Sequence, residues 1–237
     1  MDEVPERENA AAKESVQPTT GVSDAIPTPS VSPEPLPELE FELLDPERVY
    51  TLDQADYHSL YFLDGPYAIQ NWEDEDEIEE KVFQCVQSYL EQELPNSFDD
   101  YAPESVKDEA ARLSELERNL SDSQELQNLI EARKEIYQSY PKYSLAHMIA
   151  ESYNRFGLEY IKVNGNFSTI EYYYGHSIQW LLRALSFSAI DSDAVRTRLS
   201  SIQMRYHDIA SRAPVGSESG EYAQKLCEAF KRVANRI

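Results

Sequence analysis

Four histidines and two cysteines are the side chains best suited to hold a metal ion or act as nucleophiles, and their spacing decides against both roles. His58, His147, His176 and His207 share no ligand spacing with Cys85 or Cys227, and neither HExxH nor a pair of ExxH motifs occurs. His147 and Glu151 stand at i, i+4 and read as a contact on one helix surface. The run Asp74 to Glu80 and the pair Asp99-Asp100 would offer carboxylates for acid/base work or magnesium. Both lie at expected helix ends, where carboxylates cap the first turn and favour its dipole. Only seven glycines are present, and none stands in a GxSxG, P-loop or GxGxxG motif. The expectation is a protein without catalysis, cofactor or metal.

What remains is the chemistry of contact. Of sixteen tyrosines, Tyr172, Tyr173 and Tyr174 are consecutive. On a helix three successive residues sweep about 200°, so one ring enters the core while another faces solvent or a partner. Tyr, Trp and Arg supply most of the energy at interfaces, which makes Tyr172, Tyr173, Trp180 and Arg183 the first candidate partner-binding group. The second comes from charge. The net charge is −23, yet residues 194–237 hold eight Lys and Arg against four acids. Arg196, Arg198, Arg205 and Arg232 belong to this basic region, and something acidic should sit nearby.

Apolar periodicity places these residues on helices and nowhere suggests a strand of useful length. Ile78, Val82, Cys85, Val86, Tyr89 and Leu90 mark a helix over 74–94 whose acids occupy its first turns. Pro95 ends it, and Pro103 suits the start of the next, marked by Val106, Ala110, Leu113, Leu116 and Leu120. Leu126, Leu129, Ile130, Arg133, Ile136 and Tyr137 follow a Ser121 or Asp122 cap. These two narrow stripes read as a charged surface hairpin. Broader stripes then run through Leu145, Ile149, Tyr153, Phe156 and Tyr160, and through Ile170, Tyr174, Ser177, Leu181 and Leu185. The Asn164-Gly165-Asn166 turn between them tolerates positive φ. Val195, Leu199, Ile202, Tyr206 and Ile209 follow an Asp191 or Asp193 start. Tyr222, Leu226, Phe230, Val233 and Ile237 close the chain after the loop 214–220.

Tyr153, Phe156, Gly157 and Tyr160, followed by Ser177, Leu181, Ala184 and Leu185, resemble the two helices of a tetratricopeptide repeat over about 40 residues. A second frame 46 residues on supplies Leu199, Ile202 and Tyr206, then Ala223, Cys227 and Phe230, with Gln203 in place of the small residue at Gly157. Ala189 stands where the family has proline, and the spacing between the helices is about eight residues longer. The resemblance, confined to residues 145–236, implies stacked hairpins with a concave surface for a peptide or a partner helix. An irregular bundle is the alternative.

The fold class expected is all-α, an antiparallel bundle or stacked α-α hairpins behind a disordered tail. Eight of thirteen prolines fall within residues 1–46, beside eleven acids and two bases, a composition that cannot offset its ordering entropy. The divisions are a disordered acidic tail over 1–39, with Thr28-Pro29 and Ser32-Pro33 as ordinary Pro/Ser sequence, an acidic-aromatic arm over 40–73, a charged helical region over 74–140 and a helical core over 141–237. The arm carries Phe41, Leu43, Val49, Tyr50, Leu52, Tyr57, Tyr61, Phe62 and Trp72, too many large hydrophobes to leave in water. Either it wraps along its own helices, or it folds on a partner. Its acids are candidates to pair with the C-terminal arginines, in cis or between two copies, so a homo-oligomer is one arrangement.

Strong negative charge disfavours direct binding to nucleic acid or anionic lipid, no run approaches a membrane span, and the N-terminus lacks a signal peptide. With two isolated cysteines, a cytoplasmic or nuclear setting is expected, and the sequons at Asn119 and Asn166 carry little weight. The function expected is a protein–protein interaction module, adaptor, scaffold or chaperone-like, that takes an acidic or amphipathic segment on its helical body. The alternatives are a regulator that reaches a basic partner through the arm and a helical enzyme of unrecognised motif.

Overall fold

Among the described residues, five helix starts are set by a side chain that accepts hydrogen bonds from amides of the first turn, which have no intrahelical partner. The caps are Asp74, Asp122, Asn166, Asp191 and Ser217. Asp122, for example, accepts from the Gln124 and Glu125 amides at 2.6 and 3.1 Å. The computed structural model describes residues 41–43, 45, 47–52, 74–92, 94, 98–187 and 191–237. Among them the helices are α1 (Glu75–Leu90), the single turn α2 (Phe98–Tyr101), α3 (Glu104–Glu117), α4 (Ser123–Ser139), α5 (Tyr143–Lys162), α6 (Phe167–Ala184), α7 (Ser192–Arg212) and α8 (Glu218–Arg236). The expected tail, the Thr28 and Ser32 sites, Ala189, and the part of the arm from Asp53 to Glu73 lie outside the described residues.

The fold is all-α. Pro103 immediately precedes α3, and the Asn164 turn adopts φ +52° as its sequence requires. Helices α5 and α6 form one extensive hairpin, and α7 and α8 form another. From α3 to α8 each helix packs on its successor, so the array grows in chain order. One apolar core runs through it, from Leu113, Leu126 and Ile130 through Phe156, Tyr173 and Leu181 to Leu199, Tyr206 and Phe230.

Helix α1 departs from the expected grouping with residues 74–140. It lies against α8, with a smaller contact to α6, because its apolar face of Ile78, Val82, Cys85 and Val86 must be covered and α8 offers both cover and countercharge. Arg232 meets Glu75 at 3.3 Å and Glu79 at 2.8 Å, while Arg236 meets Glu79 at 3.1 Å and lies 4.0 Å above the Phe83 ring. Beyond α1 the Leu94 amide donates to the Ser186 carbonyl, just past the end of α6, at 2.5 Å.

Two buried arginines tie the array together. Arg133 on α4 has no solvent exposure, donates to Ser152 on α5 at 3.0 Å and pairs with Glu117 on α3 at 2.8 Å. Arg205 on α7 repeats the device one step along, reaching Ser177 on α6 at 3.3 Å and Glu151 on α5 at 3.0 Å. Gly157 marks the closest approach of α5 and α6, since a Cβ there would stand 2.6 Å from Tyr174 Cε1.

Phe156 and Leu181 are 1% and 0% exposed. Each change to alanine is expected to cost about 2–5 kcal/mol in denaturant unfolding, through lost transfer energy and a residual cavity. Gly157→Ala is expected to cost about 1–3 kcal/mol despite its helix-propensity gain of about 1 kcal/mol, because overcrowding prevails. A more stable Gly157→Ala protein would show that α5 and α6 are not so closely seated.

Candidate functional site

An extended segment needs partners for its backbone, and the described part of the arm finds them along α4, α5 and α6. The Glu42 amide donates to the Ser121 carbonyl at 2.7 Å and the Ser123 amide returns a bond to the Glu42 carbonyl at 3.2 Å, a short parallel pairing just before α4. Further along, the Tyr160 hydroxyl donates to the Asp45 carbonyl at 3.2 Å. Thr169 then serves two backbone groups at once: its hydroxyl donates to the Arg48 carbonyl and accepts from the Tyr50 amide at 3.2 Å.

Two rings anchor the segment. Phe41 packs edge-on against Phe156 at 6.0 Å beneath the Arg155 guanidinium, itself 4.5 Å from the ring centre. Tyr50 stacks on Tyr172 at 5.0 Å and meets Tyr173 edge-on at 5.3 Å. Gln127 on α4 fixes this end by donating to the Tyr50 hydroxyl at 2.9 Å and the Tyr173 hydroxyl at 3.2 Å. Phe156 at 4.5 Å and Tyr160 at 5.5 Å complete the stack around Tyr173. Beside Arg48 and Tyr50 a cavity of about 290 Å³ remains, walled by Gln124, Asn128, Tyr153 and Tyr172.

Burial, with a smaller effect from neighbouring Tyr50, pushes the Tyr160 phenol from the ordinary 10 up to about 12. Burial and then the Tyr50 hydrogen bond push the Tyr173 phenol far above its usual value. Both hydroxyls are therefore neutral at physiological pH, Tyr160 as the donor to the arm and Tyr173 as an acceptor.

No protein-family model, curated protein or solved structure matches this chain. The functional reading rests on its own residues.

The first candidate group divides between two places. Tyr172 and Tyr173 line the arm's seat. Trp180, 6% exposed, packs edge-on against Tyr137 at 5.0 Å with Arg183 lying 4.7 Å above it. The indole is thus a core group with one solvent-facing cation.

The basic group does not form one surface. Arg198 and Arg205 are 8% and 6% exposed. Arg198 lies 4.4 Å over the Tyr143 ring and donates to the Ala194 carbonyl, and Arg205 is held in its network with Glu151. Arg196 is exposed and paired with Asp193 at 3.2 Å. Arg232 belongs to the α1 contact. The acidic complement expected from the arm thus comes, for Arg232, from α1, and the described arm docks by rings and backbone. Thr169, Gln127 and Tyr160, which hold it, were not singled out by sequence as contact residues. The first two are ordinary polar residues with no distinguishing spacing, and the third reads as core. Among the described residues no three His, Cys, Asp or Glu side chains converge as a metal-binding set, and no helix is long and apolar enough to cross a membrane.

Because the folded chain holds Tyr160 neutral more strongly than the unfolded chain does, its stabilisation is complete below pH 10 and is lost as pH rises towards 12. In a tyrosinate absorbance titration, Tyr160→Phe is expected to remove one tyrosine from the component titrating near pH 12. Loss from the component near the ordinary value instead would contradict this burial.

Proposed function

We propose that this chain is a non-catalytic protein–protein interaction module of the adaptor or scaffold kind, and that its helical body binds a partner protein along the face of α4, α5 and α6. One observation carries the reading: that face seats an extended segment through Thr169 and Tyr160 on its backbone and through ring stacking on its side chains. Grooves that recognise peptides combine these two elements, backbone bonds for affinity and side-chain pockets for choice. The tetratricopeptide resemblance points the same way, since hairpins stacked in series present such a surface. A cytoplasmic or nuclear setting fits a chain with two isolated, buried cysteines.

A regulator working through the arm is the competing reading, and Val49 favours keeping it in view, being 58% exposed on the outer side of the docked segment. Photo-crosslinking side chains placed singly at Gln124, Glu131, Val49 and Met204 separate the two in the native cell. Discrete protein adducts from Gln124 and Glu131, absent from Met204 on α7, are expected. Adducts from Val49 alone would assign binding to the arm and overturn the proposal.

A further inference from the structure

The arm's contacts are of a kind that another chain could reproduce. At Glu42, Asp45, Arg48 and Tyr50 the groups that meet the body are backbone amides and carbonyls. Phe41 and Tyr50 add ring contacts and Leu43 and Leu52 add aliphatic ones, and all four side chains are partly buried at the margin of the core rather than within it. A site that reads backbone, two rings and the aliphatic side chains beside them recognises a pattern: an extended apolar segment whose aromatic side chains are separated by eight residues.

A solvent-open cleft borders the seat. The cavity of about 290 Å³ beside Arg48 is bordered by Tyr153, Tyr172 and Ile130 on one side and by Gln124 and Asn128 on the other. Arg48 is exposed and turns its guanidinium over the Tyr50 ring, 4.5 Å from its centre, so an occupant with a bulky apolar side chain at that position, covering Ile130, Tyr153 and Tyr172, would remove apolar surface from water that the arm leaves wet. The arm's advantage is its tether. Residues 53–73 join it to the Asp74 cap of α1, and a tethered ligand competes at an effective concentration on the order of millimolar.

Building on the α4–α6 face as the partner surface, we propose that residues 41–52 are an exchangeable cis ligand. The groove takes in trans an extended peptide segment of another protein, bearing two aromatic residues at the spacing of Phe41 and Tyr50 and a bulky apolar residue two positions before the second ring. The arm must leave before that segment enters. The groove is therefore self-occluded, and partner affinity is set against the arm's effective concentration.

A fluorescent peptide covering residues 39–54, with Arg48 replaced by leucine, tests this by anisotropy against two full-length proteins, wild type and Phe41→Ser/Tyr50→Ser. The double variant is expected to bind the peptide at least about tenfold more tightly than wild type, because its own competitor is disabled. A peptide lacking both rings should bind neither protein. A full-length protein with a protease site inserted between residues 53 and 73 guards against misfolding of the double variant. Cut after folding, it should release its N-terminal fragment on dilution and then bind the peptide. Equal binding to wild type and double variant would overturn the proposal, as would a cut fragment that stays bound at nanomolar concentration. Either failure leaves the cross-linking pattern at Gln124 and Glu131 free to support partner binding by the helical body, so the two readings fall separately.

Discussion

A phenol buried where three helices meet must have its hydroxyl bonded, since leaving such a group unsatisfied costs about 1–3 kcal/mol. Tyr173 is in that position, 1% exposed on α6 among rings from α5 and the arm. Gln127 resolves it from α4, and the second hydrogen of the same amide reaches Tyr50. One side-chain amide thus couples the interior of the bundle to the docked segment. The reach of Gln127 from α4 to α6, the stacking of Phe156 and the seating of the arm are parts of one arrangement around Tyr173.

The buried arginines act at a longer range. Helix α5 contributes Ser152 to the Arg133 network and the adjacent Glu151 to the Arg205 network. It is therefore pinned towards α3 and α4 through one residue and towards α7 through the next. Removing one member of such a set strands a desolvated charge, typically a loss of about 3–5 kcal/mol. On α5 the residues that meet the arm, Arg155, Phe156 and Tyr160, follow directly on Glu151 and Ser152 in the same helix.

Helix boundaries were legible because capping is local. Asp122 and Asp191, both read from sequence as helix starts, act on amides within three residues, whereas Asn166 and Ser217 read as turn and loop residues and prove to be caps as well; the apolar stripes of α5 to α8 gave the buried face by period alone. Other features depend on partners distant in sequence. Trp180, Arg198 and Arg205 have the chemistry of interface residues, but that chemistry also suits a wet-edged core: the arginines stack on a ring or bridge to a serine and a carboxylate once three helices enclose them. The countercharge for Arg232 lies 157 residues away on α1. Both α1 and the arm are acidic and carry hydrophobes, so composition did not distinguish them. Thr169 was invisible for a related reason. Its hydroxyl has a role only because the Arg48 and Tyr50 backbone passes over it.

Residues 41–43, 45 and 47–52 are seated on their own helices, and the Tyr50 amide reports this directly through its bond to Thr169. Residue-resolved hydrogen exchange on the full-length protein at neutral pH is expected to show the Glu42 and Tyr50 amides slowed by about tenfold or more relative to an unstructured peptide, a protection set by local opening of the arm. In Thr169→Val the Tyr50 protection should be lost, with the amides of α5 and α6 unchanged. Exchange of Glu42 and Tyr50 at unprotected rates in the wild-type protein would contradict the docked arm, and with it the occupied groove.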